Sequence, residues 1–377
     1  MSSSSSSPRV VLYGYDASPF YQKMLFLLAH YKVDFVVVKV APMPPRPALS
    51  ELLGVTYRRI PVMFLDGQAY FETTLCARAL EAAFGGKPGH GHSLFDKRDE
   101  IIQVQLSATW SETQLFRLAV GHLPKAAFTP AFVADRSKFM PGVPFSAEAV
   151  TANLPYSQSQ LYAHLASIEA HLAQQQQQQQ AGSGSGSGSG AGAQAGRFLV
   201  GEKVSYVDIC TFVPLQWVQS FGTARDLLPK EAKNGGGGAE STTPFPRVVA
   251  WLSDVKRHLA QQGLAKAKSI KAEEAATLIL EQAEPASITK AQNDARVSAS
   301  DPLVKAGWVD GAGQQVLVTP TDTGKVPQQG SLVALDPTQI TILVRTNVGN
   351  GAFLAHFPRV QFDVRKVELA KNRDAKI

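Results

Sequence analysis

Three short groups of residues near the start of the chain could do chemistry. Tyr13, Tyr15 and Ser18 lie just ahead of Pro19, where a hydroxyl at a helix start can either donate to an anion above the turn or cap the helix, a role serine favours. Arg58-Arg59-Ile60-Pro61 follows. A cis X-Pro bond, rare enough to have a purpose, would turn the backbone of Ile60 out of any sheet, and an arginine fork beside it matches a carboxylate. Glu72-Thr73-Thr74 opens another helix, whose free N–H groups and hydroxyl suit a carboxylate while Glu72 suits a cation. Plainer readings stay open beside these: a pair of helix caps, a trans proline in an ordinary loop, and two solvated arginines.

The elements that must position these groups are legible nearby. Val10-Val11-Leu12-Tyr13 is a short apolar strand, residues 14–18 a turn, and Pro19 suits the first position of a helix running through Phe20, Met24, Leu27 and Leu28. Residues 35–40 form an apolar strand of the kind covered on both faces. After the proline-rich stretch 42–47 comes a short helix near 49–53. Phe64-Leu65, the Asp66-Gly67 turn and Ala69-Tyr70-Phe71 read as a hairpin, and a helix follows through Leu80 and Phe84.

This βαβαββα order, with a proline just before the third strand, resembles the thioredoxin-like domain of the glutathione S-transferase superfamily over residues 9–86. The resemblance implies that Ile60, ahead of a cis Pro61, pairs with the cysteinyl unit of glutathione. It further implies that Glu72 and Thr73 hold the γ-glutamyl end and that Arg59, or Arg58, meets the glycyl carboxylate. A free thiol is mostly protonated at neutral pH, and depressing its pKa by two units requires about 2.7 kcal/mol. Ser18 stands where omega-class and glutaredoxin-like relatives carry cysteine, so a mixed disulfide cannot form there, and conjugation or binding is implied instead of thiol-disulfide reduction. Ser18 is the first candidate to activate sulfur and Tyr15 the second; Tyr13 is a third, and no activator at all is the alternative. Cys76 and Cys210 read as small core residues.

Further on, Ile101, Ile102, Leu106, Trp110, Leu115, Phe116 and Leu118 outline one or two helices, and Leu161, Leu165, Ile168 and Leu172 recur as an amphipathic stripe. Ser205 to Asp208 is an N-terminal capping pattern ahead of an apolar run through Trp217. That run, and Pro246-Arg247 to Trp251, resemble the all-helical C-terminal domain of the same superfamily. The stretch 128–145 is rich in aromatic residues and prolines, and suits either a substrate pocket or plain packing. A glutamine run at 174–180 and a Gly-Ser tract to 196 read as a loop inserted in the helical domain, since lengthening a surface loop costs little; residues 234–238 read as a second such loop. Val360, Phe362 and Val364 alternate with polar residues, as do shorter stretches from Val316 to Val344, so a small β-barrel-like module is expected at 298–377. The division is then a disordered tail at 1–8, a thioredoxin-like α/β domain at 9–86, an all-helical domain at 96–265 with its insert at 174–196, helix and linker at 266–297, and the all-β module. That module, with Pro320-Thr321-Asp322-Thr323-Gly324 and His356-Phe357-Pro358-Arg359, resembles one appended to some fungal transferase-like proteins.

Composition bounds the function. At 377 residues the chain is long enough for two or three domains. A formal charge of +6, with ten basic and seven acidic residues scattered over 296–377, leaves no nucleic-acid footprint. No apolar run reaches the roughly 18 residues of a membrane span. Two distant cysteines argue against a disulfide framework, and the serine-rich start lacks the apolar core of a signal peptide, so a cytoplasmic protein is expected. The eight histidines are dispersed in sequence and suggest no metal site. The resemblance implies an enzyme that uses glutathione as co-substrate, conjugates it to a hydrophobic electrophile and forms a homodimer. The alternative is a non-catalytic glutathione-binding or protein-interaction module on the same fold.

Overall fold

The computed structural model describes residues 9–95, 97–139, 145–182, 197–230, 243–262, 267–294 and 296–368. The tail at 1–8, the Gly-Ser tract from 183 and the loop at 234–238 lie outside them. The first element is strand β1 (Val10–Gly14), followed by α1 (Pro19–His30), β2 (Phe35–Lys39), the short α2 (Pro47–Ser50), β3 (Val62–Leu65), β4 (Gln68–Phe71) and α3 (Thr73–Phe84). This is the βαβαββα order expected. Asp66 and Gly67, at φ of 50° and 72°, make the tight β3–β4 turn.

Each central strand buries both faces, which explains the nearly continuous apolar runs. Val10 and Leu12 of β1, with Met63 and Leu65 of β3, join a core shared with α1, α3 and the helical region. Val11 and Tyr13, with Val62 and Phe64, face a second core on the other side of the sheet.

The helical region holds α4 (Glu100–Gln105), a ten-residue π-helix (Leu106–Leu115), α5 (Phe116–Val120), α6 (Pro130–Ser137), α7 (Ala147–Gly182), α8 (Tyr206–Phe221) and α9 (Pro246–Gln261). The expected stripe on α7 is fully buried at Leu161, Leu165, Ile168 and Leu172. One correction concerns 174–180: the glutamine run continues α7 as helix and is not coil, because glutamine propagates a helix that its apolar face has already anchored. The capping box predicted at α8 is complete. Asp208 accepts from the backbone N–H groups of Ser205 and Leu199, at 2.9 and 2.8 Å, and from the Trp251 indole at 2.8 Å, so the two motifs recognised in this region meet at one buried carboxylate.

The remaining elements are β5 (Lys268–Ser269), α10 (Ala272–Gln282), α11 (Pro285–Asn293), β6 (Arg296–Val297), α12 (Pro302–Lys305), β7 (Gln315–Pro320), β8 (Gln328–Leu335), β9 (Gln339–Arg345), β10 (Ala352–Pro358) and β11 (Phe362–Lys366). The terminal strands do not close into a barrel of their own. β10 lies parallel to β4, with Ala355 opposite Ala69 and His356 opposite Tyr70, so the sheet runs β11-β7-β8-β9-β10-β4-β3-β1-β2-β5. An uncovered β4 edge would present a row of unpaired backbone groups, and β10 satisfies them. Val360, expected in a strand, is 72% exposed in the turn before β11. Gln328 is buried and plugs the loop ahead of β3: its amide oxygen accepts from Thr56 N–H at 2.7 Å and its amide nitrogen donates to the Gly54 carbonyl at 3.1 Å.

The histidines, scattered in sequence, are partly gathered in space. His30 of α1, His92 and His258 of α9 meet with ring centroids 4.6 to 5.9 Å apart, and His30 Nδ1 lies 3.0 Å from His258 Nε2. No group among the described residues is arranged to hold a metal ion. Burial chiefly, then the neighbouring histidine charges, pulls His30 down to about 3 and His258 to about 4. Burial likewise pulls His356, which bridges Thr341 and Gln68, to about 4. These values lie below the unfolded 6.5, so the unfolded chain takes up protons first as pH falls, and the stability present above pH 6.5 is lost between there and about 4 for His258 and His356, and about 3 for His30. His30 and His356 should each lose about 1 kcal/mol by pH 5.5, with less from the half-exposed His258. Urea midpoints at pH 7.0 and 5.5 check this, and equal midpoints contradict it.

Candidate functional site

Strand register brings the three sequence groups to one end of the sheet. Tyr13 pairs with Val62, and Val62 with Phe71, so the turn after β1, the segment entering β3 and the start of α3 emerge side by side. The Ile60–Pro61 peptide is cis.

Ser18 is 3% exposed and caps α1, its Oγ accepting from Tyr21 N–H at 3.3 Å. Capping uses only the oxygen's acceptor capacity, which leaves the O–H free to donate. Tyr15 is half-buried, and its hydroxyl accepts from Arg136 Nη2 at 3.3 Å. Tyr13 is fully buried against Phe64 in the second core, and burial raises its phenol further above the ordinary tyrosine range. It therefore sits away from the turn that carries Ser18. Cys76 and Cys210 are free and buried, with burial pushing them up, Cys210 to about 12. Both are inert thiols at neutral pH.

Glu72, at φ 78°, caps α3: its carboxylate accepts from Thr74 N–H at 3.0 Å and lies 3.3 Å from the Thr73 hydroxyl. The helix start thus already holds a carboxylate in this structure, its own. Beneath it lies a residue that sequence reading passed over. Lys23 of α1 is wholly buried and donates to Thr73 Oγ1 at 3.0 Å, to Tyr206 Oη at 2.8 Å and to the Glu112 carboxylate. Those three bonds use every donor an ammonium has. The Tyr206 hydroxyl in turn donates to Thr74 Oγ1 at 3.0 Å. Burial opposes the Lys23 charge, but Cys210, Glu112, Tyr206 and Glu72 outweigh it and raise the ammonium well above its usual range. With the thiol at about 12, the carboxylates are what hold the charge near pH 7. Burial first and Glu112 second push Glu72 up, against Lys23 and the helix N–H groups. Glu112 reaches Lys23 from the π-helix, whose wider turn is a feature common at functional sites. Pro19, Phe20, Lys23, Glu112, Phe116 and Cys210 also line a small pocket with room for about one water.

The two arginines are both engaged. Arg59 donates to Asp322 and to the Thr323 carbonyl of the β7–β8 loop. Arg58 pairs with Asp135 of α6 beneath the Phe139 ring, 4.4 Å from its centroid. The stretch 128–145 therefore delivers α6 to the mouth of the site, although residues 140–144 lie outside the described ones.

Residues 17–83 match the model of the glutathione S-transferase N-terminal domain. No curated protein matches the chain. Among solved structures, a GST-like protein from Pseudomonas syringae is 21% identical, with 95% of this chain and 99% of that one covered and a TM-score of 0.59. A tau class glutathione S-transferase from mango, Mangifera indica, is 16% identical over 71% of this chain and 96% of its own, at a TM-score of 0.41. Rice GST1, solved in complex with glutathione, is 16% identical over 73% and 96%, at 0.39. The first of these likenesses is one of fold, and it extends over the terminal strands.

Proposed function

Because residues 17–83 match the glutathione S-transferase N-terminal domain, we propose that the chain is a member of that superfamily, binds glutathione and joins its sulfur to a hydrophobic electrophile. The observation that carries this reading is the Tyr13–Val62–Phe71 register, which sets the Ser18 turn, the cis Ile60–Pro61 peptide and the Glu72-Thr73 helix start at one end of the sheet. The Ile60 backbone pairs with the cysteinyl unit. The γ-glutamyl carboxylate takes the N–H groups at the start of α3, and Glu72 turns to the ammonium. Two carboxylates, Glu72 and Glu112, stand against the one ammonium of Lys23, and the negative charge left over suits that cation. Arg59 meets the glycyl carboxylate by exchanging Asp322 for it. The Ser18 hydroxyl, with Tyr15 as second candidate, donates to the sulfur. The thiolate sulfur bonds to the electrophilic carbon, the leaving group departs with its electron pair, and the thiol proton passes to water. The same reading makes the chain a cytoplasmic homodimer.

Calorimetric titration with glutathione, followed by assay against an activated aryl halide, tests it. Ser18→Ala should lower kcat/KM by roughly 10- to 100-fold, the range that a pKa depression of one to two units supplies, with the glutathione Kd little changed and about 1 kcal/mol of stability lost with the cap. Unchanged turnover would reject Ser18. The near-complete burial of Ser18 favours a second reading, a binding module without turnover; saturable glutathione binding with no conjugation would select it.

A further inference from the structure

Three guanidinium groups converge at the mouth of the site from separate elements. Arg46 precedes α2, Arg58 precedes β3, and Arg136 belongs to α6. Arg46 donates to the carbonyls of Ala41, Pro42 and Arg58, at 2.8, 2.8 and 2.5 Å. Arg58 and Arg136 share a single carboxylate, Asp135, one on each oxygen, and Arg136 also donates to Tyr15 Oη. All four charged residues are half-buried. Three positive charges against one negative leave two in excess where solvent screening is reduced. Among the described residues nothing accepts from the buried Nε of Arg58. Burial chiefly, with smaller contributions from the charges of Arg136 and Arg58, pulls Arg46 down to about 10. The rings of Phe132 and Phe139 lie 5.1 and 5.2 Å from the Arg136 guanidinium, so an apolar wall adjoins the charges.

We propose that Arg46, Arg58 and Arg136 form the carboxylate site of the acceptor substrate, so that the electrophile is an apolar, aromatic-sized compound carrying a carboxylate. The proposal rests on the conjugation reading above and names its substrate class. Glutathione brings one glycyl carboxylate to this side of the cleft. Should that carboxylate fall on the cluster and not on Arg59, one positive charge still remains for the acceptor. Arg136 comes from the helical region and touches Tyr15 on the sulfur-bearing turn, which places its charge beside an electrophile approaching the thiolate. A bidentate arginine–carboxylate contact supplies orientation as well as affinity.

The test compares 4-chloro-3,5-dinitrobenzoate with its methyl ester on the full chain. With glutathione, the carbon–sulfur bond would form at the chlorinated carbon, chloride would leave with the bonding pair and the thiol proton would go to water. Binding is measured by calorimetry with S-methylglutathione, which cannot react, present at saturation. The benzoate should bind at least tenfold more tightly than the ester; R136Q should bring the two within about twofold of each other, and R136K should keep most of the preference, while the Kd of S-methylglutathione stays within twofold in both variants. Equal binding of benzoate and ester by the unaltered chain overturns the proposal. So does an R136Q that weakens S-methylglutathione as much as the benzoate, since the cluster would then serve the glycyl carboxylate. Failure of the unaltered chain to bind S-methylglutathione counts against the conjugation reading alone, and the benzoate–ester comparison without it still decides this one.

Discussion

Glu112→Ala is expected to destabilise the protein by about 3 kcal/mol or more, because it strands the buried Lys23 ammonium with Glu72 as its nearest remaining carboxylate. The ammonium cannot reach water from its place under Tyr206, whose ring it faces at 4.8 Å. Glu112 differs: its side chain keeps 11% of its surface exposed, so in Lys23→Met its carboxylate can turn to solvent, and that variant should lose less, about 2 kcal/mol. The double variant Lys23→Met, Glu112→Leu replaces both charges with apolar side chains of similar size and should be more stable than Glu112→Ala alone, since removing a buried pair together avoids the uncompensated charge. Urea unfolding of the unaltered chain, Lys23→Met, Glu112→Leu and their double variant closes a cycle and gives the coupling free energy. Additive losses would mean that the two residues act separately, and would remove the charge argument for the γ-glutamyl end of the site.

That pair also shows where sequence reading stops. α1 was legible from Phe20, Met24, Leu27 and Leu28, and Lys23 between them reads as a solvated position until a partner 89 residues away is placed over it. The partner could not be placed, because Glu112 sits in a π-helix and a period of 3.6 misassigns its direction. The Asp66-Gly67 hairpin and the Ser205–Asp208 box were readable because turn chemistry and capping are local. Arg136 was hidden for the opposite reason: the stretch 128–145 has no clear period, and only tertiary placement brings it to Tyr15. The terminal strands were visible by their alternation, but a parallel pairing of β10 with β4 across nearly 290 residues leaves no mark in either strand.

Phe357→Ala should destabilise the whole chain by about 3–5 kcal/mol, and do so in one transition. Phe357 is fully buried in β10 and stacks on Phe71 of β4, with ring centroids 4.5 Å apart and planes within 2°, while Tyr57 packs edge-on to both rings. Phe353 makes the neighbouring contact with Phe64 of β3 at 5.1 Å. These aromatic residues belong to one core that also holds Val11 and Tyr13 of β1, Leu49 of α2, Leu53 and Ile279 of α10, so the terminal strands share the apolar cover of the second face of the N-terminal sheet. An appended module with a core of its own would unfold separately, and its loss would leave the site at β1, β3 and α3 intact. A shared core requires that amides of β9 and β10 exchange with the same opening free energy as those of β1 and β3, and that Phe357→Ala lower both sets equally. Native-state hydrogen exchange reads each strand by itself. Selective loss of protection in β7 to β11, with β1 and β3 unmoved, would return the terminal strands to the status of an independent domain and would separate Asp322 from any hold on Arg59.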